Sequence, residues 1–142
     1  MPHNVENKPV DTGLACLVQL ARFHGVAADP GQISHASGVT ADQLSERDLL
    51  KAGRSLGLKV GAVTSRWERL TDTPLPALAC HKDGRYVILA GVKDNKVLVH
   101  DPLETRPLTL PREVFAEAWS GRLILVTRRA SLRDMGGKFG FG

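Results

Sequence analysis

Thiols and aromatics are scarce in this 142-residue chain, which carries two cysteines, one tyrosine, two tryptophans and four phenylalanines. Cys16 and Cys80 stand alone, with no Cys-x-x-Cys or His-x-x-x-His spacing around them, so a metal site is not expected. No RNP-like aromatic strand or helix-turn-helix pattern is present, and the basic residues are scattered apart from Arg128, Arg129, Arg133 and Lys138. A formal charge of +4 is therefore a weak argument for nucleic acid, and none is expected as a partner. Long apolar runs are missing as well, since nothing approaches the roughly 18–20 apolar residues of a membrane helix. The segment from Met1 to Lys8 lacks the basic-then-apolar order of a secretory signal, which leads us to expect a cytosolic domain with free thiols. Gly136-Gly137 is followed by Lys138 without completing a phosphate-binding loop, so no cofactor is expected in this stretch.

What remains is an ordinary globular composition, 42% hydrophobic and 24% charged, long enough for one domain with a real core. The first third reads as helix. Asp11 is a plausible N-cap and Gly25 a stop for a helix over about Thr12 to His24, with an apolar stripe of Leu14, Leu17, Val18 and Ala21. Asp29-Pro30 opens a short second helix carrying Ile33 and Ala36. Ser45-Glu46-Arg47-Asp48 resembles a capping box and opens a third, bearing Leu49, Leu50, Ala52 and Leu56 up to Gly57. After Gly57 the period changes to two. Lys59 to Ser65, Ala77 to His81, Tyr86 to Val92, Lys96 to His100 and Leu123 to Thr127 read as strands, with a short helix between Pro111 and Trp119. Turn chemistry at Lys82-Asp83-Gly84-Arg85 and Lys93-Asp94-Asn95 predicts an antiparallel meander. Helices first and sheet second is an α+β layout.

Three residues stand where chemistry is usually done. A residue at a helix start and two on neighbouring strands form the constellation of a papain-like thiol protease, with Cys, His and Asp or Asn in that order. Here the positions hold Thr12, Tyr86 and Asp101. A helix dipole generates a thiolate but does little for a threonine hydroxyl, and an internal Thr12 has no free amine to act as its base. Tyr86, with an ordinary pKa near 10, is a poor general base. Asp101 either accepts from the Tyr86 hydroxyl or caps the turn at Pro102, and we favour a structural role. Cys16, among Leu17, Val18 and Leu20, reads as a small buried hydrophobe. Cys80 and His81 are adjacent on a strand and so point to opposite faces. His3, His24, His35 and His100 sit at no evident partner spacing.

Asp11-Thr12-Gly13-Leu14-Ala15-Cys16-Leu17 and Ala21-Arg22-Phe23-His24-Gly25 resemble the start of C39 peptidases, written roughly D-C-G-x-A-C-L and R-Y-H-G. Leu75-Pro76-Ala77-Leu78, Gly84-Arg85-Tyr86-Val87-Ile88-Leu89 and His100-Asp101-Pro102 are similar to the later motifs, in order. The resemblance implies a papain-like fold over 1–128. It puts the family's catalytic Cys on Thr12 and its His on Tyr86, leaves Asp101 matched, and drops the oxyanion glutamine near Glu6 or Asn7. Such losses resemble the degenerate C39-like domains of type I secretion exporters of the haemolysin type. That implies a non-catalytic module that docks an unfolded exported polypeptide, an RTX toxin or adhesin, at the cytoplasmic face of the bacterial inner membrane. The transmembrane and nucleotide-binding domains would be its other partners, the latter holding ATP and Mg, and 129–142 would be a flexible basic linker toward the membrane. Tyr86, Trp67 and Trp119 would offer aromatic surface near the old cleft, and Arg85 and Lys82 would attract acidic segments. The rivals are an active peptidase using Cys16 or Cys80, and a domain that regulates the exporter's ATPase.

Overall fold

The side chain of Asp11 ties the start of one helix to the approach of another. Its Oδ1 accepts from the Leu14 amide at 3.0 Å and its Oδ2 from the Leu44 amide at 2.8 Å, so one carboxylate caps α1 (Thr12–Phe23) and holds the approach to α3 (Glu46–Ser55). This computed structural model describes residues 10–37 and 43–128; Glu6, Asn7 and the stretch 129–142 lie outside them. At the far end of α1 the chain turns at Gly25, whose φ of 78° only glycine adopts without strain. Helix α2 (Pro30–Ser37) starts at proline, with Asp29 Oδ2 accepting from the Gln32 amide. The capping box of α3 is complete, Ser45 and Asp48 each accepting from the other's amide.

The sheet has six antiparallel strands in the order β1-β6-β2-β3-β4-β5. These are β1 (Leu58–Thr64), β2 (Ala77–His81), β3 (Tyr86–Lys93), β4 (Lys96–His100), β5 (Leu108–Pro111) and β6 (Trp119–Arg128). The meander of β2, β3 and β4 is as the turn chemistry predicts. Asp94 and Asn95, both at positive φ, close the β3–β4 hairpin between the Lys93–Lys96 pair. Three features differ from the sequence reading. Strand β5 and a 3₁₀ helix over Trp67–Asp72 appear where loop was expected. Strand β6 begins at Trp119 rather than Leu123, because Gly121 (φ 93°) and a register shift opposite Cys80 and His81 extend its pairing past an irregularity.

Period-two alternation splits the core into two layers. On one face Leu78, Tyr86, Ile88, Ile124 and Val126 meet Leu14, Leu17, Val18 and Leu20 of α1 and Leu49 of α3. On the other, Ala79, Val87, Leu89, Val97, Val99 and Leu123 meet Leu70 and Phe115, the latter from α4 (Arg112–Ala118). The α+β expectation is thus borne out, with α1 to α3 on one side of the sheet. Among the described residues no helix is long and apolar enough to cross a membrane.

Candidate functional site

Thr12 and Tyr86, 74 residues apart, meet at the N-terminus of α1. Thr12 is 2% exposed, and its Oγ1 accepts from the Tyr86 amide at 2.9 Å. The hydroxyl at the helix start therefore carries a fixed structural bond to the strand. Gly13 makes the approach possible, since a Cβ there would lie 2.8 Å from Leu49 Cδ1 and 3.1 Å from Tyr86 Cδ1. Tyr86 is itself buried, and its phenol lies against the thiol of Cys80, its cross-strand partner. Burial first, then the Cys80 neighbour, push the phenol well above the usual tyrosine range, so it serves as no base at neutral pH.

Asp101 is placed beside this pair on the loop after β4, but it does not reach the Tyr86 hydroxyl. One carboxylate oxygen is held by the Arg85 guanidinium and the other by the Leu103 amide at 2.8 Å. Burial works against the charge, yet the Leu103 amide and the guanidinium together outweigh it and keep the carboxyl below the usual range. Of the two roles open to Asp101 in sequence, turn capping is the one realised. The Arg85 guanidinium is engaged by Asp101 and stays a third exposed.

Arg85→Met is expected to lower the free energy of unfolding by about 1 kcal/mol at pH 7, a modest figure because Arg85 is a third exposed. A depressed carboxyl pKa contributes stability above the ordinary aspartate range and loses it as pH falls through the depressed value. The gap between wild type and variant should therefore narrow from pH 7 to pH 3, below the ordinary aspartate pKa of about 3.9, where unfolding takes up a proton that the paired carboxylate resists. Urea denaturation at the two pH values checks this, and a gap of constant size would contradict it.

The two free thiols sit in different surroundings. Cys16 is fully buried, and burial above all pushes its thiol far up, so it stays protonated in the α1 core. Cys80 is half-buried and donates weakly to the His81 carbonyl at 3.5 Å. Burial lowers the pKa of His81 against the pull of nearby Asp83, and no contact joins its ring to either sulfur among the described residues. Nor does any cluster of three or more His, Cys, Asp or Glu suited to a metal occur among them.

The aromatic surface expected from Tyr86, Trp67 and Trp119 is not assembled, because they lie on opposite faces of the sheet. Tyr86 belongs to the α1 layer. Trp119 is buried in the other, stacked on Phe115 at 5.2 Å, with Nε1 donating to the Arg122 carbonyl. Trp67 is half-buried in that second layer, with the Arg112 guanidinium 5.2 Å over its ring. Lys82 stays exposed in its turn, its amide bonded to the Ala118 carbonyl.

One polar group near the cleft was missed. Arg122 of β6 grips Glu46 of α3 in a two-pronged pair, both distances 2.9 Å, and also donates to Thr64 Oγ1. The pair spans 76 residues, so no local pattern announces it. Its charges reach the Tyr86 phenol, and the pair ties α3 to β6 beside it.

These features agree with what the chain is similar to. It is 37% identical, over 95% of its length, to the Toxin RTX-III translocation ATP-binding protein of Actinobacillus pleuropneumoniae, and it spans about a fifth of that relative. The solved N-terminal peptidase C39-like domain of the toxin secretion ATP-binding protein from Vibrio parahaemolyticus superposes with a TM-score of 0.77 at 22% identity, over 85% of this chain and 99% of that one. A double glycine motif protease from an AMS/PCAT transporter, solved with its leader peptide, gives the same score at 21% identity, over 87% and 88%. The model of the Peptidase C39 family matches residues 1–131, and the chain belongs to that family.

Proposed function

We propose that this chain is a non-catalytic docking domain of a type I secretion ABC exporter, and that it holds the unfolded exported polypeptide, an RTX toxin or adhesin, before translocation. One observation carries the reading. Where a papain-like site needs a thiolate beside an imidazole, this chain has the Thr12 hydroxyl committed to the Tyr86 amide. Neither group takes part in acyl transfer from there. The name of the Actinobacillus relative, a toxin translocator that binds ATP, supports assignment to an exporter. The AMS/PCAT protease with its leader peptide supports a peptide-binding use of the fold. In this reading the domain works at the cytoplasmic face of the inner membrane, with ATP and Mg bound in the exporter's nucleotide-binding domain.

The test is an NMR titration of the 142-residue chain with the unfolded C-terminal region of an RTX toxin, run in parallel with a double-glycine leader peptide. Saturable shifts with both peptides intact after prolonged incubation are expected. Cleavage of the leader would overturn the non-catalytic reading, and the absence of any shift would overturn docking.

A further inference from the structure

The two edges of the sheet are built differently. Strand β5 is four residues long, enters from Pro107, ends on Pro111 and is flanked by Arg106 and Arg112. Short, proline-bounded, charged edges are how proteins discourage a further strand. Strand β1 is neither short nor bounded by proline. It runs seven residues, Leu58–Thr64, with no proline and the single charge of Lys59. Val63 is 37% exposed, and a Cβ on Gly61 would meet nothing within 4 Å.

The register shows which backbone groups of β1 face outward. Leu58 through Thr64 pair with Arg128 through Arg122, and the Ser65 amide continues that register by donating to the Gly121 carbonyl at 2.7 Å. Antiparallel ladders alternate bonded and non-bonded pairs. Lys59, Gly61 and Val63 therefore turn their amides and carbonyls toward β6, and Val60, Ala62 and Thr64 turn theirs away from it. Among the described residues nothing bonds to that outward row.

The surroundings of this row are basic. Arg54, Lys59, Arg66 and Arg128 are exposed, and none joins an ion pair among the described residues. Glu46, the carboxylate near the Thr64 end, is already neutralised by Arg122.

We infer that the β1 edge accepts an extended acidic segment of the exported polypeptide as a seventh strand, an inference that rests on the docking reading above. Main-chain hydrogen bonds read no side chains, so such a site tolerates varied sequences while requiring an unfolded, extended ligand. The basic rim supplies the preference for acidic stretches and speeds encounter at low salt.

Amide exchange of the 142-residue chain, with and without an acidic segment of the unfolded secreted protein, tests this. Exchange at Val60, Ala62 and Thr64 should slow by about tenfold or more at saturation, each tenfold being 1.4 kcal/mol of local protection. A copy of the segment N-methylated at alternate residues should lose that protection, whereas a scrambled copy of equal charge should retain it. Ala62→Pro removes one outward amide and should weaken binding about tenfold. Should that variant fail to fold, Lys59→Glu with Arg66→Glu provides the second reading, with weakening that fades at high salt. Binding that leaves these amides unchanged overturns the edge site and spares docking, and absence of binding sinks both. Protection already present in the free chain, lost on trimming 129–142 or on dilution, assigns the edge to the tail or to a second copy and overturns the inference.

Discussion

Phe115→Ala is expected to lower the free energy of unfolding by about 3–5 kcal/mol, the range for removing a buried aromatic ring from a core that only partly collapses. Phe115 is fully buried and stacks on Trp119 with the ring planes 26° apart. Its helix α4 is seven residues long, and Pro111 at the N-cap supplies no side-chain bond. A helix that short does not hold itself in water, so burial of Phe115 is what fixes it to the sheet. The loss should appear in urea denaturation as an earlier midpoint at unchanged slope, together with altered tryptophan emission as Trp119 loses its stacking partner. A cost under about 1 kcal/mol would mean that Phe115 is not the anchor of this layer. Because that layer is separated by the sheet from the α1 face, polypeptide binding well below the melting temperature should survive. If binding vanished while the fold persisted, Trp119 or Trp67 would return as a contact residue.

The difference between those two faces is what the sequence does not contain. Caps are local, and Asp11, Pro30 and the Ser45–Asp48 box each lie within three residues of the amide they satisfy or the helix they start, so α1 to α3 are legible with their ends. The β2–β4 meander is legible because its turns join strands adjacent in sequence. The insertion of β6 between β1 and β2 is not, since it pairs strands far apart in sequence. Strand β5, Leu-Thr-Leu-Pro, reads as loop in isolation because two prolines frame it, and it gains strand geometry only from β4.

The site was legible in its residue positions but not in its bonds. Thr12 and Tyr86 do converge, and Asp101 is tied to the neighbouring Arg85. Alternation tells that Tyr86 and Val87 point opposite ways, yet not which of them meets α1. That choice buried Tyr86 on the helical face and left Trp67 and Trp119 on the other. The Arg85–Asp101 and Glu46–Arg122 pairs join residues 16 and 76 apart, beyond the reach of any pattern of period two or 3.6.

Thr12→Val is expected to lower the free energy of unfolding by about 1–3 kcal/mol, although valine matches threonine closely in shape. The reason is the Tyr86 amide, which donates to Thr12 Oγ1 in a buried setting. Valine leaves that amide without a partner and without access to water. Thr12→Ser keeps the oxygen and loses one methyl, so it should cost about 0.8 kcal/mol or less. Urea denaturation of the pair separates the bond from the volume, and equal losses in the two variants would refute the hydrogen-bond account. Thr12→Cys carries the same logic into function. It restores a thiol at a helix start, where the dipole favours the thiolate, yet Tyr86 offers no imidazole and Asp101 is held by Arg85. The variant should still leave a double-glycine leader uncut. Cleavage by that single substitution would overturn the account in which Tyr86 and the Arg85–Asp101 pair keep a thiol here inactive.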